Sequence, residues 1–321
     1  MKTFYWLVKR EFWEHRGSFL WAPVISAGIL LLLTIMGVIA GETFRNRAGI
    51  HFGNGINLEV LRSSLDDGKL DTIGRILDVY MMSPAMLISI VLFVVVFFYC
   101  VNALAEDRRD RSILFWKSLP LSDRETVLSK VFCAGVLAPV IAIVVSVIAG
   151  LAMLLLVALV AAAHGLGLQQ MLWTLPHPFR ITFDMLASLP LYLVWALPTI
   201  GWLMLCSAWA RSKTFLWAVG LPIGSGVLVT WFNQMGSIGV DTLWYWRNIV
   251  GRALLGVIPG THLSPRGAFG LSSGSMDEKA ALLLLKPDYA QFITAPFLVG
   301  AVAGIAMIAA AIWLRRWRTE L

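Results

Sequence analysis

The chain has 321 residues, of which 58% are hydrophobic and 14% charged, with a formal net charge of +7. Soluble domains hold about 45–50% apolar and about 25% charged residues, so this balance excludes an ordinary water-soluble protein. The apolar residues gather into charge-free runs of roughly 20, the length a helix needs to cross about 30 Å of hydrocarbon. The expected fold is all-α: a polytopic membrane protein with six transmembrane helices, an N-terminal interfacial helix and periplasmic helical segments, forming one transmembrane domain over 1–321.

Met1 to Arg16 carries Lys2, Lys9, Arg10, Glu11, Glu14 and Arg16 ahead of the first apolar run, which does not fit a cleavable signal peptide. Residues 1–18 read instead as a helix in the headgroup plane. Phe4, Leu7, Val8 and Phe12 share one helical face, while Lys2, Lys9, Arg10 and Glu14 take more polar positions, with the basic groups toward lipid phosphates. An ordinary positive anchor is the plainer alternative.

The spans are expected at about 19–40, 84–105, 131–163, 189–210, 214–232 and 292–314. The third run has 33 residues, roughly 50 Å as a helix, and has to tilt, kink near Pro139 or project beyond the bilayer. Cys100, Cys133 and Cys206 fall inside these runs and read as buried, inert thiols. Gly28, Gly37, Gly201, Gly220, Gly224 and Gly226 offer helix contacts, and Gly224-Ser225-Gly226 after Pro222 marks a weak point, gate or kink, of the fifth span.

Lys and Arg fix the orientation. Four precede the first span, six lie in 106–130, two in 211–213 and three in the C-terminal tail, with eight acidic residues on the same side; the other side holds eleven of each sign. By the positive-inside rule both termini are cytoplasmic, and the basic residues face anionic lipid rather than nucleic acid. Segments 41–83, 164–188 and 233–291 are then periplasmic. The first carries Leu58, Leu61, Leu65, Ile73, Ile76, Leu77 and Tyr80 at amphipathic spacing, interrupted near Gly68. The last holds an interfacial candidate, Leu243 to Ile258, with Trp244, Tyr245 and Trp246.

The stretch from Ala105 to Val131 carries the most information. Charges end the second span, an apolar turn follows at Ile113, Leu114, Phe115 and Trp116, and Leu119-Pro120-Leu121 stops it. Ser122 or Asp123 then caps a helix with Glu125 in its first turn. The result is a cytoplasmic hairpin with charges and an aromatic anchor for a protein partner; a solvated loop that only sets topology is the plainer alternative.

Asp107-Arg108, Leu119-Pro120-Leu121-Ser122 and Lys130 make this stretch resemble the first intracellular coupling loop of ABC transporter permeases of the type-2 export class. Residues Leu7 to Pro23 resemble the first helix and span of such permeases. Arg111-Ser112 departs from the Gly-Thr that many members carry. The resemblance implies a cytoplasmic ABC ATPase, in two copies, docking on Glu106, Asp107, Arg108, Arg109, Asp110, Arg111, Phe115, Trp116, Leu119, Pro120, Ser122 and Asp123. It also implies a second permease copy, as a homodimer or related heterodimer, in a bacterial inner membrane. ATP and Mg would belong to the ATPase, with no cofactor or metal in this chain.

The residues fit an external engine. No G-x-x-x-x-G-K-[ST] phosphate loop is present, Gly68-Lys69-Leu70 being the nearest dipeptide. The six runs lack Asp, Glu, His and Arg, the polar stations an ion-driven transporter needs at membrane depth. Dispersed histidines and the lack of a G-x-S-x-G elbow disfavour an enzyme. Met81, Met82 and Met86 could handle a soft metal, and Asp66, Asp67 and Asp71 a cation, but packing and solvation are the plainer readings. The expected role is a non-enzymatic permease exporting an amphipathic or apolar compound. Residues such as Phe97, Phe98, Tyr99, Trp195 and Trp202 would shape its pocket, facing lipid being the plainer reading for most of them. The alternative is an anchor that relays ATPase motion to a periplasmic partner.

Overall fold

The computed structural model describes residues 2–47, 67–109, 122–163, 176–236, 239, 241–259 and 289–317. Its secondary structure is helical throughout, with no strand among the described residues. In chain order the helices are α1 (Lys2–Glu14), α2 (Ala22–Arg47), α3 (Asp67–Arg109), α4 (Asp123–Phe132), α5 (Ala138–Ala163), α6 (Pro178–Ala187), α7 (Leu189–Trp209), α8 (Thr214–Gly236), α9 (Thr242–Tyr245), α10 (Gly251–Leu255) and α11 (Ala295–Trp317). Six stretches are long and apolar enough to cross a membrane: Gly17–Phe44, Thr72–Arg109, Asp123–Ala163, Pro178–Trp209, Thr214–Gly236 and Ala295–Trp317. The protein is thus an all-α polytopic membrane protein.

The helices outrun the charge-free runs. α2 continues to Arg47, and α3 starts at Asp67 and passes through Pro84 without ending. Much of 41–83, expected as a separate outer segment, is therefore span extension, because helix formation needs no apolar residue once a neighbouring turn is formed. Gly68 stands at the start of α3 rather than at a break within a helix. Leu58, Leu61 and Leu65 lie outside the described residues.

Two wide π turns, Gly17–Trp21 and Cys133–Leu137, each contain the residue four positions before a proline, Pro23 and Pro139. Proline has no N–H for that carbonyl, and a wide turn absorbs the mismatch without breaking the rod. The third span therefore runs 41 residues from Asp123 to Ala163, about 60 Å of helix, and projects beyond a bilayer.

The core is α3, α5, α7 and α11. In α5 the inward face is small: Ala138, Ala142, Ser146, Ala149, Gly150 and Ala158 are buried, and Gly150 lies against the Met81 carbonyl of α3. In α7 and α11 glycines meet backbone: a Cβ on Gly201 would sit 2.6 Å from the Gly304 carbonyl oxygen, and one on Gly304 2.6 Å from the Leu197 carbonyl carbon. Close approach of small residues is how membrane helices gain dispersion where lipid offers no hydrophobic drive. α2 and α8 form the rim. Only 6% of the most apolar stretch of the first span is buried, against 56% in the fourth, and Gly28, Gly37, Gly220 and Gly224 face open space.

The interfacial candidate at Leu243 to Ile258 is seated differently from expectation. Asp241 caps it, accepting from the Leu243 and Trp244 N–H groups. The chain then turns back into the bundle, where Trp246 Nε1 donates to Thr230 Oγ1 at 2.9 Å and its ring lies over Gly226. Gly226 is ten residues below the end of α8, about 15 Å by helical rise. Tyr192 donates to the Val257 carbonyl at 3.0 Å and Thr199 to the Arg252 carbonyl at 2.6 Å. Segment 241–259 is thus a re-entrant element between α7, α8 and α11. Of the glycine pair after Pro222, Gly226 serves this docking while Gly224 faces open space, and α8 runs unbroken past both.

Gly304→Val is expected to destabilise by about 1–3 kcal/mol through overpacking against the α7 backbone. Gly37→Ala, in open space, should be neutral; thermal unfolding of the two variants in detergent checks both.

Candidate functional site

The end of the bundle that carries the N-terminal helix holds a buried cluster of charges from four parts of the chain. Glu11 of α1, Asp107 of α3, Lys130 of α4 and Arg315 of α11 are each less than 10% exposed. Lys130 Nζ lies 3.1 Å from Glu11 Oε1 and 3.5 Å from Asp107 Oδ1. Arg315 Nη1 lies 2.9 Å from Asp107 Oδ2, and its Nε donates to Asp123 Oδ1 at 3.2 Å. Tyr99 donates to Glu11 Oε2 at 3.0 Å, and Arg10 Nη2 stands 3.1 Å from Glu11 Oε1. Three carboxylates thus face three cations. Charges withdrawn from water persist only when so paired and hydrogen-bonded.

Each member is placed by a helix end. Ser122 takes an extended backbone and accepts from the Glu125 N–H, capping α4 and fixing Asp123 beside Arg315. Two turns on, Lys130 points inward with Thr126 and Ser129. Glu11 shares the inner face of α1 with Leu7, and Val8 and Phe12 pack against the core alongside them. Phe4 meets Phe132 edge-on, with ring centroids 5.9 Å apart. The face containing Phe4, Leu7, Val8 and Phe12, expected to sink into lipid, is therefore the face that grips the protein. Tyr5, Trp6 and Trp13 are the exposed aromatics, with Lys9 lying over Trp6 at 4.8 Å.

Of the residues expected to meet a partner, Glu106 and Arg109 are exposed. Asp107 and Arg108 turn inward. The Arg108 guanidinium caps the C-terminal end of α7, donating to the Ser207 and Ala208 carbonyls and to the Ala210 carbonyl at 2.9 Å. Ser207 Oγ in return accepts from the Leu104 and Ala105 N–H groups, each at 3.0 Å. A cation at a helix C-terminus satisfies orphan carbonyls and the helix dipole together. Asp110, Arg111, Phe115, Trp116, Leu119 and Pro120 lie outside the described residues.

Glu11, Lys130 and Arg315 as one cluster were not foreseen. Their only signal was position: each stands within a turn or two of an apolar run.

The other candidates disperse. Cys100, Cys133 and Cys206 are free and buried. Phe97 and Tyr99 are core residues, Phe98 stacks on Phe215, Trp202 donates to the Ala218 carbonyl and Trp195 stacks under Arg252. Met81 and Met82 pack with Ile181 and Met185, while Met86 is exposed. Among the described residues no group of three His, Cys, Asp or Glu could hold a metal. At the opposite end Asp78 accepts from the His177 N–H at 2.7 Å and pairs with its ring at 3.1 Å, tying α6 to the outer part of α3.

No family model, curated protein or solved structure matches this chain.

Removing one partner of a buried pair leaves an uncompensated charge, so Lys130→Met or Asp107→Ala is expected to cost about 3–5 kcal/mol. The exposed control Arg109→Ala should fall within about 0.5 kcal/mol. A Lys130→Met/Glu11→Gln double variant that recovers part of the loss in detergent unfolding would demonstrate the coupling.

Proposed function

We propose that this chain is the membrane-spanning permease subunit of an ATP-driven exporter of the ABC type-2 class, moving an amphipathic or apolar compound with the help of a separate cytoplasmic ATPase. What carries the reading is the way the chain is mounted on either side of residues 110–121. Its two feet, Glu106 to Arg109 and Ser122 to Asp123, are joined through buried charge pairs to α1 and α11 and through Arg108 to the end of α7. A push on that stretch is delivered to α1, α7 and α11 at once, which suits a coupling element and is more than a passive connection requires.

The orientation that this reading needs, with the charge cluster and both termini cytoplasmic, rests on the excess of Lys and Arg at that end. The broad apolar faces of α2 and α8, with their open glycines, suit pairing with a second permease copy, the pathway lying between copies. A relay role has its own support in α3, whose 43 residues make about 65 Å of helix, longer than a bilayer is thick. Vesicle transport assays separate export from relay.

Two measurements test the proposal. A membrane-impermeant maleimide should label Glu106→Cys in inverted vesicles and not in intact cells; labelling from the periplasm reverses the topology and removes the assignment. The exposed variants Glu106→Lys, Arg109→Glu and Arg124→Glu are expected to reduce the co-purifying, vanadate-sensitive ATPase several-fold without lowering the unfolding temperature.

A further inference from the structure

Far from the charge cluster, the re-entrant segment brings one cation into the bundle. The Arg252 carbonyl is held by Thr199, ten residues into α7, about 15 Å along it by helical rise. The guanidinium itself lies against the first turns of α11, at Pro296 and Gly300. The guanidinium carbon stands 4.2 Å from the centroid of the Trp195 ring. Its other face lies on Gly300 of α11, where any Cβ would collide with it. Nη1 donates to the Pro296 carbonyl. Nε and Nη2 are buried with no hydrogen-bond partner, and no described carboxylate pairs with the side chain.

Nε–H and Nη2–H form one edge of the guanidinium, the edge that receives a carboxylate or phosphate through two parallel hydrogen bonds. Trp195 of α7 holds the plane of that edge, and a side chain so oriented loses little freedom on binding. Burying such an edge unpaired is costly, which favours a conformation in which it meets an anion.

We propose that Arg252 is an anion-binding site that takes the phosphate of a membrane amphiphile on its Nε and Nη2 edge when segment 241–259 moves off α11. Lipid supplies the ligand because the neighbouring face of α11 is open, with Val299 and Val302 more than 60% exposed, so a headgroup can arrive sideways from the bilayer. The site stands on the membrane fold alone and does not depend on an ATPase.

Dodecyl phosphate titrated into the full-length protein in dodecyl maltoside tests it by calorimetry. Saturable binding is expected, weakened about tenfold by Arg252→Gln and less by Arg252→Lys, which keeps the charge and loses the fork. Should Arg252→Gln fail to fold, Trp195→Leu replaces it, since it removes the ring that holds the plane of the guanidinium while keeping the charge, and a loss in the same direction is expected. Unchanged affinity in the folded variant overturns the proposal. Inorganic phosphate binding as tightly as dodecyl phosphate would also overturn it, because the site would then serve a free anion. No ATPase is present in this assay, so its outcome is separate from that of the permease reading.

Discussion

Lys130 and Asp107 cannot both be buried unless each finds the other and a further partner, and that requirement organises the basic end of the molecule. Lys130 reaches back to Glu11 near the start of the chain, while Asp107 reaches forward to Arg315 near its end. The net energy of such a network is small, since desolvation offsets most of the attraction. Its effect is selective: any packing that slides α1, α3, α4 or α11 out of register strands a charge in a dry interior. Apolar contact between lipid-like surfaces cannot discriminate registers in this way.

Above that level the bundle is held by shape. Small residues on α5, α7 and α11 let backbones touch, and polar bonds become scarce until the re-entrant segment is reached. There Tyr192, Thr199 and Thr230 hold a short helical piece of chain to the bundle. The two ends therefore differ in kind: one is locked by ion pairs among helices, the other by hydrogen bonds to an inserted helical segment, with α2 and α8 left as a loosely engaged rim.

The six spans were legible because a charge-free run of twenty residues has one common interpretation. Their true lengths were not, since Thr72 to Ser83 is helical without being apolar. The Ser122 cap was also legible, being a local matter of one side chain and an N–H three residues on. The charge cluster was not. A Lys just before an apolar run looks the same whether it reaches water or lies inside the protein, and its partner Glu11 is over 100 residues away in sequence. Arg252 was hidden for the opposite reason: Arg247, Asn248 and Arg252 make 241–259 look like surface, and only the Trp246 contact with Gly226 draws it inward.

The wide turn at Cys133–Leu137 has a consequence for evolution along this helix. It holds one more residue than an α turn would, and one residue is worth about 100° of rotation. Everything below it, including Lys130, keeps its azimuth relative to Ala138, Ala142 and Ala149 above only while that extra residue is present. A single-codon deletion within those five positions would leave an acceptable helix and swing the ammonium away from both carboxylates, so this short stretch should tolerate exchanges of residue far better than changes of length.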